Sequence, residues 1–212
     1  MRGVPIHPAG GTQQVGMSEE GAELEASDGH QPFWPGPRDV SAVLTVTTGE
    51  ANATGGWEAT NRRVERGDLV LTDTSPWLEG AWSDTANAVV AGTPTGEHWR
   101  TFDAVRRALE MAIELCRPGM IACELDRRVR ASLEEFGPTY SHHTGHGIGA
   151  SWSEPPRITP YEEMPIEENM ILALELGVYR PGWGGIRLEH VILVRDSGNE
   201  ILSQFEHRLT GR

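Results

Sequence analysis

Two hydrophobic periods run along this chain. Val40, Ala42, Leu44 and Val46 alternate with small polar residues, the two-residue repeat of a half-buried strand. A polar loop, EANATGGWEATNR, follows Gly49. Farther on, Phe102, Val105, Leu109, Ala112, Ile113 and Cys116 fall at helical spacing, which predicts a helix from Thr101 to Cys116 that ends at Pro118 and Gly119. A second helix is expected from about Cys123 to Phe136, with Leu125, Val129, Leu133 and Phe136 on one side and Gly137-Pro138 as its stop. Both stripes read as core, covering one face of a sheet. Residues 1–38 carry many Gly, Pro and polar positions and no sustained apolar period, so they are expected to be a poorly ordered segment ahead of one domain, 39–212; only Ser18 to Ala26 suits a short helix.

Two later strands carry acids where apolar side chains belong. Glu175 follows Ile171-Leu172-Ala173-Leu174 and shares a strand face with Ile171 and Ala173, while Glu189 shares one with Val191 and Leu193. Glycines 182, 184 and 185 lie in the turn between them. An unpaired buried carboxylate is costly by several kcal/mol, so two such acids call for a cation, and a metal ion is the economical candidate. The pattern occurs twice: Leu69 to Thr72 leads into Asp73, a turn with Gly80 follows, and Asp84 precedes Ala88-Val89-Val90. The acids stand eleven apart in the first copy and fourteen in the second. That duplication predicts two carboxylate-bearing hairpins facing each other across a pseudo-twofold axis.

Composition narrows the partners. With 31 acidic against 18 basic side chains, the net charge of −13 argues against nucleic acid and suits a site that gathers acids around cations. No apolar run approaches a membrane span, no signal sequence opens the chain, and two cysteines without a C-x-x-C pattern fit reduced thiols; the expectation is a cytoplasmic protein. His142, His143 and His146 cluster within five positions beside Gly145, Gly147 and Gly149, and neutral imidazole is a standard metal ligand beside carboxylates.

With Asp73, Asp84, His146, Glu175 and Glu189 in that order, the chain resembles the pita-bread metallopeptidases, a family that includes methionine aminopeptidase, prolidase, aminopeptidase P and creatinase. The matching motifs are GDLVLTD with SDTANAVVAG, the segment HHTGHGIG, and LALELGVYRPGWGGIRLEHVILV. The resemblance implies an α+β pita-bread fold and a site for two divalent ions (Mn, Co, Fe or Zn), with Asp84 and Glu189 bridging, Asp73 completing one shell, and His146 with Glu175 the other. It implies a metal-activated water attacking a peptide or amide bond, Glu175 as the proton carrier, and His142, or His143 in its place, in contact with substrate. Trp152 is a candidate pocket wall, and Arg187 is a candidate ion-pair partner for a ligand acid.

Two departures stand beside these matches. Many family peptidases have a histidine seven residues after the metal histidine, where this chain has Ser153, and another upstream of the first aspartate, which falls near Gly55 or Gly56 here. The helix pair that precedes the Val40-like strand in the family is also largely missing, which leaves an apolar sheet face: either a second copy of the chain covers it, or the chain is a shortened relative with reduced stability. The expected function is an Xaa-Pro aminopeptidase- or dipeptidase-like hydrolase. The alternatives are a catalytically impaired metal-binding relative and a hydrolase of a non-peptide C–N bond.

Overall fold

The computed structural model describes residues 13–16, 40–54, 61–137 and 140–210. In chain order the elements are β1 (Gln13–Gly16), β2 (Val40–Thr48), α1 (Glu50–Ala53), β3 (Leu69–Leu78), β4 (Ala81–Trp82), β5 (Thr85–Val90), α2 (Gly96–Leu115), α3 (Ala122–Leu133), β6 (Gly145–Gly147), β7 (Glu154–Ile158), β8 (Ile171–Arg180), β9 (Gly184–Leu193) and β10 (Glu200–Ile201). The strands form two five-stranded antiparallel sheets. In the first, β3 pairs with β2 on one side and with β4 and then β5 on the other, and β1 extends the β2 edge. The second has the order β10-β9-β8-β6-β7.

Leu172, Leu174 and Leu176 on β8 and Ile186, Leu188 and Ile192 on β9 are fully buried in one cluster with the apolar stripes of α2 and α3. Burying each such side chain contributes about 1.5–3 kcal/mol. The helices follow the predicted periods with two shifts. α2 starts at Gly96, because the Thr95 hydroxyl accepts from His98 N and His98 Nδ1 accepts from Thr95 N, a reciprocal cap that precedes the first apolar residue. α3 stops at Leu133, and a 3-10 turn carries the chain from Glu134 to Phe136.

The polar loop after Gly49 departs from expectation. Its start is the short helix α1, held because buried Asn52 donates to Leu69 O at 3.3 Å and Gly185 O at 2.8 Å and so ties the two sheets together. The Gly55 and Gly56 positions and the Ser18–Ala26 helix lie outside the described residues. Among the described residues no helix pair precedes β2, and its burial is the reverse of the expected alternation: Leu44 and Val46 are 46% and 48% exposed while Thr45 and Thr47 on the opposite face are buried. No helix among the described residues is long and apolar enough to cross a membrane.

The duplicated hairpins are related but differ in register. Glu175 and Glu189 stand directly opposite each other on β8 and β9. Asp73 pairs with Ala86 instead, leaving Asp84 in the link between β4 and β5, where Ser83 N donates to Pro76 O. The return strand of the first hairpin is therefore broken into β4 and β5, and the break puts Asp84 level with the other acids.

Candidate metal centre

Each predicted acid is buried. Strand alternation puts Asp73 on the same face as Leu69 and Leu71, and Glu175 on the same face as Ala173, which packs with Ile148 and Val191. Asp73, Asp84, Glu175 and Glu189 are 4%, 2%, 5% and 0% exposed, levels at which an unpaired carboxylate is not sustained. His146 comes from β6, the strand next to β8, and is likewise fully buried. Its neighbour Gly145 permits this placement, because a Cβ there would lie 2.2 Å from Ala173 O on β8. Trp82 N donates to Gly149 O at 2.8 Å and draws the Asp84 segment against the loop after His146.

Around this cluster the partners are specific. The Arg187 guanidinium spans two acids, with Nη2 2.5 Å from Asp73 Oδ2 and Nη1 3.2 Å from Glu175 Oε2. Asp84 accepts from Ser75 Oγ at 2.8 Å and from Trp152 Nε1 at 2.7 Å. His146 Nδ1 donates to Gly147 O at 2.8 Å, which leaves the Nε2 lone pair facing Glu175 Oε1 at 3.7 Å and Asp84 Oδ2 at 3.9 Å. Among the described residues neither oxygen of Glu189 has a hydrogen-bond partner, nor does His146 Nε2. Donor atoms of Asp84, His146 and Glu189 lie within 4.8 Å of one another, and so do those of His143, His146 and Glu175.

Among the described residues the charge balance is one-sided: four carboxylates share the cluster, and the Arg187 guanidinium faces three of them, Asp73, Glu175 and Glu189. Burial and the neighbouring Asp73 push the Asp84 carboxyl up to about 8, and burial with Asp84, Glu175 and Asp73 raises Glu189 well above the usual carboxylate range. Asp73 is raised by burial and partly held back by Arg187. Glu175 goes the other way. Burial raises it, but His143, Arg187 and His142 together outweigh that and hold it at about 2. Burial lowers His146, keeping its imidazole neutral and able to act as a ligand. The chain's own cations thus leave part of the cluster uncompensated, and orphaned oxygens and an orphaned imidazole nitrogen point into the same space. Divalent cations fit this donor set of carboxylates and neutral imidazole.

The remaining predicted residues are close by. His142 Nδ1 donates to His143 O at 2.7 Å, so its Nε2 accepts from the Tyr179 hydroxyl at 2.9 Å; burial lowers this ring to about 4, and both nitrogens are engaged inside the protein. Trp152, 36% exposed, covers His146 at a ring separation of 5.6 Å, with its indole N–H on Asp84. Arg187 reaches two acids of the cluster. His190 points to the opposite side of β9 and packs on His207 and Phe205.

Sequence reasoning missed the supports. Asp126 and Arg130 on α3 fix the loop that carries the histidines: Arg130 donates to Asp126, Tyr140 O and His142 O at 2.8, 2.6 and 2.7 Å, and Asp126 accepts from Thr144 Oγ1 at 2.6 Å. The signal was present, because Asp126 falls within the apolar stripe of α3 between Leu125 and Val129, where a carboxylate needs a partner. Ser75 and Tyr179 share strand parity with Asp73 and Glu175, a weaker signal.

Comparison with known proteins agrees with this picture. The Xaa-Pro dipeptidase of Pyrococcus furiosus is 34% identical over 166 residues, which cover 77% of this chain and 48% of that protein. A solved prolidase from Pyrococcus furiosus superposes with a TM-score of 0.73 at 33% identity, covering 77% of this chain and 49% of the other. The X-Pro aminopeptidase from Thermotoga maritima gives 0.74 at 30% identity, covering 79% and 48%. The chain spans about half the length of the curated relatives it matches, and the fold is the pita-bread fold of these structures. The model of metallopeptidase family M24 matches residues 11–196, and with that match spanning most of the sequence the chain belongs to metallopeptidase family M24.

Proposed function

We propose that the protein is a hydrolase of peptide bonds, of the Xaa-Pro dipeptidase or aminopeptidase kind, that uses two divalent ions (Mn, Co, Fe or Zn). The observation that carries the reading is the set of unpartnered buried donors, Glu189 Oε1 and Oε2 with His146 Nε2, beside an Asp84 held in its acid form without a counter-ion. Asp73, Asp84 and Glu189 would hold one ion and Asp84, His146, Glu175 and Glu189 the other, with Asp84 and Glu189 shared. When bound, such ions supply Lewis acidity and an acidified water at neutral pH.

The chain's own residues do the rest. Glu175, held ionised by His143 and Arg187, would take a proton from the attacking water and return it to the leaving amine. Arg187 keeps the Asp73 and Glu175 carboxylates in register, and Trp152 limits water at the Asp84 edge. His142, whose Nε2 accepts from the Tyr179 hydroxyl, would meet substrate only where that hydroxyl gives way. The names of the relatives support a dipeptide with proline after the scissile bond, and the free thiols Cys116 and Cys123 fit a cytoplasmic protein.

Ser153, where many family peptidases have a histidine, favours a second reading, a metal-binding relative with slow catalysis, since one lost hydrogen-bond donor to a reacting carbonyl lowers the rate roughly 10²–10³-fold. One experiment separates the two. The purified chain is reconstituted with each metal, its metal content is measured, and hydrolysis of Xaa-Pro dipeptides and of matched amides is followed beside Glu175→Gln. Metal uptake with slow, metal-dependent turnover that Glu175→Gln abolishes is the expected result. Uptake without turnover on any substrate leaves the second reading standing, and no uptake removes both.

A further inference from the structure

Asp84 Oδ2 faces two groups at once. It lies 3.9 Å from the lone pair of His146 Nε2, where donor atoms of Asp84, His146 and Glu189 converge, and it also accepts the Trp152 indole N–H at 2.7 Å. Oδ1 is engaged as well, by Ser75 Oγ at 2.8 Å. The two donors differ in how they are held. Ser75 is buried within β3, whereas Trp152 is exposed in the connection between β6 and β7, beside exposed Ala150 and Ser151.

Trp152 also has a second acceptor within reach. Its Nε1 lies 3.1 Å from Ser75 Oγ, so the N–H sits between a carboxyl oxygen and a hydroxyl, nearer the first. The hydroxyl gives its own hydrogen to Asp84 Oδ1 and keeps lone pairs to accept with. The backbone on either side is tied down, since Trp82 N donates to Gly149 O at 2.8 Å and Ser151 N to Glu154 Oε1 at 2.7 Å. A change of acceptor is therefore a pivot of the indole over the His146 ring, with no movement of the loop. The indole hydrogen carries partial positive charge, and a cation on Oδ2 repels it.

We propose that Trp152 is a positioning residue for Asp84 that competes with the cation: its N–H holds Oδ2 until a divalent ion takes that oxygen, and then passes to Ser75 Oγ. Trp152 thereby lowers the cation affinity of the site, while its ring stays at the Asp84 edge throughout. This rests on the metal reading above and not on any substrate.

The test titrates the full chain with Zn after EDTA treatment. Trp152→Phe keeps an aromatic ring and removes the donor, and should bind Zn roughly 10-fold more tightly by calorimetry, because no hydrogen bond to Asp84 has to be given up. A tryptophan that merely walls the site would leave the affinity unchanged. An N–H that went on supporting Asp84 beside the cation would make the variant bind Zn less tightly. The second readout needs no variant. Among the seven indole N–H resonances in nitrogen-15 NMR, that of Trp152, identified by its contact with the His146 ring, should move upfield on Zn loading as a hydroxyl replaces the carboxyl acceptor. Unchanged or weaker Zn binding in Trp152→Phe, or a wild-type indole proton that stays in place or moves downfield, overturns the proposal while leaving the metal reading in place. A wild type that takes up no Zn overturns both.

Discussion

Without metal, the acid cluster makes the folded protein weaker as the pH rises. Asp84 is lifted from an ordinary 3.8 to about 8 by burial and by Asp73, and Glu189 is raised in the same direction. Both bind a proton more tightly folded than unfolded. Their contribution is therefore fully present below about pH 4 and is lost as the pH climbs through the folded value. At about 1.4 kcal/mol per pH unit, the Asp84 displacement alone corresponds to something on the order of 5 kcal/mol between pH 4 and 8. A chain of this size loses about 2–4 °C of Tm per kcal/mol, so the Asp84 share should be on the order of 10 °C across that range, set against a gain up to about pH 6.5 from His142 and His190, which burial lowers to about 4. Glu175 does not blur the window, since its value is depressed to about 2 and its contribution disappears only in stronger acid. Thermal melts in EDTA from pH 5 to 8 measure the slope. Asp84→Asn should remove the share of the slope that this acid contributes, and a saturating divalent ion should do the same by replacing protons with a cation that prefers the ionised acids. A wild-type Tm in EDTA that does not fall relative to Asp84→Asn as the pH rises would refute the reasoning.

Two other outcomes follow from the supports and the open face. Arg130→Met leaves the fully buried Asp126 without its cation and should cost about 3–5 kcal/mol in urea unfolding, with Arg130→Lys recovering only part because one ammonium cannot span Tyr140 O and His142 O; a loss below 1 kcal/mol would contradict the clamp. Leu44 and Val46, exposed beside Thr72 and Thr74, should bring two copies together, so sedimentation at micromolar concentration should give a dimer that Val46→Lys returns to monomer. A wild-type monomer would mean that this Thr-rich face is adequately solvated.

The sequence by itself determined the elements and the parity of the acids. Apolar alternation on β3, β8 and β9 required Asp73, Glu175 and Glu189 to point inward, and a buried carboxylate demands a partner wherever it sits. It also marked the helices, whose stripes at Phe102 to Cys116 and Leu125 to Leu133 are core. Tertiary structure decided what distance decides. Only the folded chain showed that Asp84 enters through a broken return strand, with no cross-strand acid opposite it, that Arg187 reaches across 114 residues to Asp73, and that Asn52 ties the first sheet to the second. Local pattern fixes which way a side chain points, whereas the field it meets there is assembled from residues far apart in sequence.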